Sequence, residues 1–187
     1  MTRADIERSR VMSTLKYSTL ETPHGTVWFA AGEEGLKFLL LRYFNDRRVV
    51  QELRKARGAK LVRDDRALRS FAGQLRRYFQ GQRVPFDVDL DLSTGTRFQQ
   101  AVWRAVRRVP YGTLVSYKQI AREVGSARAA RAVGNALAAN PIPIVVPCHR
   151  IVRTGGALGG FTGGIRWKKR LIELEVGQGG LEFSEGS

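Results

Sequence analysis

With 187 residues, 43% of them apolar, the chain has room for one large domain or two small ones around a sizeable core. Thirty-two Lys and Arg against seventeen Asp and Glu give a formal net charge of +15, too one-sided for a neutral carrier and suited to a polyanion such as nucleic acid, although a solvated arginine-rich surface would satisfy charge alone. The single cysteine excludes an intramolecular disulfide and a cysteine-rich zinc site, and no apolar run approaches the roughly 20 residues of a membrane span. The charged stretch 1–12 also lacks the apolar stretch of a signal peptide, so a cytoplasmic protein is expected.

Thr26 to Ala31 and Leu36 to Leu41 are apolar stretches separated by Gly32-Glu-Glu-Gly35, the pattern of a hairpin with an exposed edge. From Asp65 to Gln80, Leu68, Phe71, Leu75, Tyr78 and Phe79 recur at helical spacing and Gly81 stops the run, which predicts an amphipathic helix. Phe86, Val88, Leu90 and Leu92 then alternate with Asp87, Asp89 and Asp91, predicting a half-buried strand with three carboxylates in water. With no histidine nearby, that triplet reads as solvation of a sheet face and not as a metal site. After Ser93-Thr-Gly95 the character changes to short basic helices, which places a domain junction near residues 91–96 and divides the chain into 1–91 and 92–187.

In the second part, Phe98, Val102, Ala105, Val106 and Val109 form an apolar stripe, while Arg97, Arg104, Arg107 and Arg108 populate the rest of the same helix, which Pro110-Tyr-Gly112 breaks. Ser116 and Gln119 fit a capping box, and Ile120, Ala121 and Val124 form the buried side of a short helix ending at Gly125. Ser126 is placed to cap the next helix, in which Ala129, Val133 and Leu137 face inward and Arg128, Arg131 and Asn135 share the opposite face. Two short helices joined in this way read as a helix-turn-helix, with the basic outer face favouring DNA over mere packing. Ile142 to Val152 is apolar and β-branched, and its prolines keep it out of a central sheet, so it is expected to be extended and buried. Gly155, Gly156, Gly159, Gly160, Gly163 and Gly164 follow within ten residues, a composition that lets backbone approach a ligand. Trp167 to Glu175 closes the pattern as a helix with Leu171, Ile172 and Leu174 inward.

Cys148 lies in Pro147-Cys-His-Arg150, within an apolar segment and next to an imidazole and a guanidinium. A free thiol has a pKa of about 8.5, and cationic or proton-accepting neighbours lower it and raise the share of nucleophilic thiolate. A lone cysteine is otherwise usually buried and inert, and adjacency in sequence does not bring the His149 ring to the sulfur.

Tyr117, Arg131, Asn140-Pro141, Pro147-Cys-His-Arg-Ile151, Gly159-Gly-Phe-Thr-Gly-Gly164 and Leu171-Ile-Glu-Leu-Glu175 occur in this order, and over about residues 96–175 the chain resembles the C-terminal domain of the O6-alkylguanine-DNA alkyltransferases. The first ninety residues resemble that family's N-terminal domain more loosely. The resemblance implies an α+β protein: a ribonuclease-H-like sheet-and-helix domain followed by a helix-turn-helix, winged-helix-like catalytic domain. It implies that Cys148 accepts the alkyl group irreversibly, that His149 deprotonates it through a bound water, and that Glu175 orients His149. Asn140 would tie the helix-turn-helix to the active-site segment. Tyr117 would push the 3′ phosphate and donate to guanine N3, and Arg131 would fill the stack left by a flipped base. Ala127, Ala130 and Gly134 would let the helix approach the minor groove, with Arg128 beside them on DNA. Phe98, Leu137, Val146, Phe161 and Thr162 would wall the substrate pocket. The implied partner is double-stranded DNA carrying alkylated guanine, met by a monomer with no cofactor. Cooperative loading on DNA and activity on O4-methylthymine stay open. Some relatives hold a structural zinc in the N-terminal domain, but with only His24, His149 and one cysteine this chain is expected to hold no metal. The reading from a different class is a non-catalytic lesion sensor or DNA-binding regulator on the same fold.

Overall fold

The computed structural model describes residues 14–42, 59–125 and 128–177. Strands β1 (Thr14–Thr22), β2 (Gly25–Gly32), β3 (Gly35–Arg42) and β4 (Lys60–Arg63) form one sheet in the order β3-β2-β1-β4. The first three are an antiparallel meander and β4 runs parallel to β1. The predicted hairpin is β2 with β3. Gly35 closes its turn at φ 116°, where a Cβ would stand 2.4 Å from the carbonyl oxygen of Asp89, so only glycine fits.

The β3 edge, expected to be open, is covered. Leu36 donates its N–H to Asp89 O and accepts from Asp91 N–H at 2.8 and 2.9 Å, and Leu39 N–H donates to Pro141 O at 2.8 Å. The segment expected as a strand from Phe86 to Leu92 touches the sheet as a single bridge between Leu36 and Leu90 and extends no ladder. Its alternation was a correct reading of burial but not of pairing: Val84, Phe86, Val88 and Leu90 pack on the core while Asp87 and Asp89 are exposed. Asp91 departs from the expected set of three solvated carboxylates, because it is buried and ion-paired to Lys37 at 2.6 Å.

One sheet face packs Val27, Phe29, Leu39 and Leu41 toward helix α1 (Arg69–Phe79), whose buried side is Phe71, Leu75 and Tyr78. The other face holds a smaller cluster of Leu15, Trp28, Ala30, Phe38 and Leu61. The larger core continues without a break into the second half, through Val102, Val106, Ile120, Val133, Ile142 and Trp167. Each such side chain contributes about 1.5–3 kcal/mol through burial.

Helix α2 (Arg97–Arg107) begins with a capping box of Thr96 and Gln99, and its Trp103 donates from Nε1 to Ala136 O at 2.8 Å. Helix α3 (Tyr117–Glu123) starts at the expected Ser116–Gln119 box, and α4 (Ala130–Ala138) packs on α2 and α3 as the second member of the helix pair. Ala129 takes the N-cap position of α4 without a side-chain bond; Ser126 and Ala127 lie outside the described residues. Residues 140–152 are buried throughout, as expected, yet they are not extended. They bend through a turn in which Ile144 takes φ 75°, make a 3-10 turn at Cys148–Arg150, and end in β6 (Ile151–Val152), parallel to β5 (Val115–Ser116). Helix α5 (Ile165–Val176) follows the glycine loop. Among the described residues no helix is long and apolar enough to cross a membrane.

Candidate active site

Cys148, His149 and Arg150 are consecutive in the 3-10 turn, and the tight winding sends the three side chains in different directions. Cys148 faces a cavity of about 590 Å³ but is itself only 4% exposed. Asn140 holds the sulfur in place: its Nδ2 donates to Cys148 Sγ at 3.1 Å and to Val146 O at 2.9 Å, while its Oδ1 accepts from Ile142 N–H at 3.0 Å. One buried amide therefore fixes the whole bend from the end of α4 to the thiol. Burial pushes the Cys148 thiol up to about 11, against the opposing pull of the Asn140 bond and the Lys168 charge. This corrects the expectation that neighbours lower it: desolvation outweighs them, because a dry site penalises the thiolate.

Behind the turn, Glu175 from α5 is a hub. Its carboxylate accepts from His149 Nε2 at 2.8 Å, Tyr78 OH at 2.7 Å, Arg150 Nε and Nη2 at 2.8 and 2.9 Å, and Gly112 N–H at 3.1 Å. Burial alone would raise this carboxyl, but the hydrogen bonds and charges of His149 and Arg150 hold it well below the usual carboxylate range. A carboxylate facing Nε2 can only accept, so Nε2 carries the proton and Nδ1 keeps the lone pair. That Nδ1 is buried and has no protein partner, and burial lowers the His149 pKa despite Glu175, leaving a neutral ring with one basic atom.

The cavity is lined by Tyr117, Ala130, Arg131, Gly134, Leu137, Cys148, Phe161 and Thr162, all singled out from the sequence, together with Asn135, Ala138, Arg153, Gly159 and Gly160. Phe98 and Val146 do not line it: Phe98 packs against the core, and Val146 is fully buried with its carbonyl on Asn140. Arg128 is exposed just before α4, and Arg131 is exposed at the cavity rim. Thr162 Oγ1 donates to Ala138 O at 2.9 Å, tying the glycine loop to the end of α4. Gly159, at φ 65°, lies so close to Tyr117 that a Cβ there would stand 2.8 Å from its hydroxyl. Burial and the nearby Cys148 raise the Tyr117 pKa, so its phenol stays a donor.

Three members of the site escaped the sequence reading. Tyr78 was legible only as an apolar-face residue of α1, Arg150 only as a neighbour of the thiol, and Lys168 not at all. A polar hydroxyl at the centre of an apolar helix face was the one available signal for Tyr78, since buried phenols need a partner.

A family profile described as 6-O-methylguanine DNA methyltransferase, ribonuclease-like domain, matches residues 15–92, and the profile for that family's DNA-binding domain matches 97–177. The methylated-DNA–protein-cysteine methyltransferase of Mycobacterium tuberculosis is 40% identical over 161 residues, 86% of this chain and 92% of that one. The inducible protein of the same name from Bacillus subtilis is 36% identical over 167 residues, 87% and 90% of the two chains. The crystal structure of the M. tuberculosis protein in complex with DNA superposes with a TM-score of 0.73 at 40% identity, covering 86% of this chain and 92% of that one.

Proposed function

Because the chain belongs to the 6-O-methylguanine DNA methyltransferase family, we propose that it repairs alkylated duplex DNA by moving the alkyl group of O6-alkylguanine irreversibly onto its own Cys148. One observation carries the reading: a buried thiol floors a cavity whose rim is the outer face of the second helix of a helix-turn-helix. A thiol placed there cannot reach an atom inside a stacked duplex, so the damaged nucleotide is turned out into the cavity. Arg131, exposed at the rim, fills the space it leaves, and Arg128 contacts the phosphate backbone.

In the transfer, the sulfur of Cys148 bonds to the alkyl carbon as the carbon–O6 bond breaks. The thiol proton passes through a bridging water to Nδ1 of His149, whose imidazolium is then stabilised by Glu175. Tyr117 donates toward N3 of the departing guanine, offsetting the charge that develops on the ring. The product is a thioether, a very poor leaving group, so each molecule reacts once. Asn140 keeps the sulfur aimed into the cavity, and Leu137, Phe161 and Thr162 bound the space for the base.

Incubation with a duplex holding one O6-methylguanine should add one methyl mass to the intact protein, mapping to Cys148. Cys148→Ser should bind the same duplex and remain unmodified, since an alcohol is far less acidic and a weaker nucleophile than a thiol, so His149 cannot activate it in the same way. Lesion loss without a mass change on the protein would overturn the reading, and binding without either would favour a lesion sensor.

A further inference from the structure

Outside the cavity, the strongest uncompensated charge lies on α1. Residues 66–86 hold five arginines and no aspartate or glutamate. Phe71, Leu75 and Tyr78 turn one side of the helix into the core. Arg69, Ser70, Gly73, Arg76 and Arg77, with Arg66 from the turn before the helix, share the opposite side at helical spacing. These four guanidinium groups are exposed, and none makes a hydrogen bond or an ion pair with a described residue. The carboxylates just before this face are already engaged: Asp64 pairs with Lys16 at 2.9 Å, and Asp65 accepts from Ser18 at 2.7 Å and from Arg63 at 3.0 Å. A row of like charge without a counter-charge opposes folding by self-repulsion and is relieved when a polyanion arrives. Gly73 sits in the middle of the row. Glycine weakens a helix interior relative to alanine, yet a Cβ here would meet nothing within 4 Å, so packing does not require it. What the missing side chain provides is a helix backbone open to close approach.

We propose that this face of α1 is a second duplex-binding surface, which grips the phosphate backbone of a DNA segment other than the one held by the helix-turn-helix. The helix packs against β1, in the other half of the chain from the helix pair α3 and α4. Arg69 to Arg77 covers about 12 Å of helix axis, and phosphates of one strand recur about every 3.4 Å along a duplex, so the row reaches three or four of them. The chemistry of the face selects this partner. A protein interface has an aromatic or apolar centre, and a single strand needs aromatic rings on which its bases stack; the face offers neither. Val62 and Ile165, the large apolar residues exposed among the described residues, both lie off α1. None of the four arginines lines the Cys148 cavity, so the surface acts separately from alkyl transfer. Two duplex surfaces let one molecule hold two segments at once and pass between them without release into solvent.

Sedimentation velocity tests this, with the full chain in an excess of lesion-free duplex of about 16 base pairs and with protein and DNA counted from their separate absorbances. At about 50 mM salt the parent should carry two duplexes per protein molecule. At about 200 mM it should carry one, since three or four phosphate contacts imply roughly a hundredfold weakening over that range. The triple variant Arg69→Gln, Arg76→Gln, Arg77→Gln removes the charge while keeping the helix. Gly73→Glu, for which the helix has open space, instead sets a carboxylate in the middle of the row. Each should bind the second duplex about thirtyfold or more weakly than the parent does. Each should keep the parental circular dichroism, bind the first duplex within about threefold of the parent and transfer to Cys148 within about twofold of its single-turnover rate. A parent that stops at one duplex at the lower salt, or variants that still take up two, would overturn the proposal. So would poly-glutamate that displaces the second duplex at a lower charge concentration than competitor duplex does, because the face would then fit an acidic protein better than DNA.

Discussion

With its thiol pushed well above the ordinary range by burial, Cys148 in the free protein is predominantly protonated at pH 7. On the proposed transfer to Cys148, the proton then leaves in the encounter with substrate, and His149 has its Nδ1 lone pair uncommitted to receive it. His149→Ala should slow single-turnover transfer by about 10²–10⁴, the usual contribution of a positioned base. The ultraviolet titration of the free thiol should move little, because desolvation, not His149, is the main cause of its shift. A variant within several-fold of the parent rate would remove His149 from the role of base.

At the scale of elements, α4 and the glycine loop form the two walls of the cavity, joined by the Thr162–Ala138 bond. If Arg131 fills a vacated stack, Arg131→Ala should lose transfer from duplex far more than from O6-benzylguanine, which needs no flipping. Unstacking costs a few kcal/mol, so a duplex-specific loss of tens-fold or more is the expected scale. Arg128→Ala should instead weaken binding to every sequence and flatten its salt dependence. Equal loss on duplex and free base in Arg131→Ala would mean damage to the nucleophile or the fold. These helices were readable because local rules write them: the Ser116–Gln119 box, the apolar stripes and the Gly125 stop each act within a few residues. The bend from Asn140 to Cys148 was not readable, because its shape depends on one amide reaching three partners and on Ile144 accepting φ 75°. The segment from Phe86 to Leu92 shows the same limit from the other side. Alternation reports which side chains are buried, whereas the length of a ladder depends on the partner edge, and on β3 that edge is shared between Asp89 and Asp91 at Leu36 and Pro141 at Leu39.

Across the whole molecule, Glu175 joins elements that are far apart in sequence: Tyr78 from the first half, Gly112 after α2, and the His149–Arg150 turn. The site is thereby tied to the stability of the fold. Removing one partner of a buried ion pair costs about 3–5 kcal/mol, since the other is left uncompensated, and Glu175→Gln does this to Arg150. The pH dependence follows from the sign of the shift. The Glu175 pKa is lowered in the folded state from an ordinary value of 4.5, so its stabilisation is fully present above that value and is lost as pH falls below it. Urea midpoints of the parent should therefore fall between pH 5 and pH 3. Glu175→Gln should start lower at pH 7 and lack this group's share of the acid slope, so that the two proteins converge on acidification. Midpoints that stay a constant distance apart from pH 7 to pH 3 would show that the Glu175 charge does not hold the two halves together.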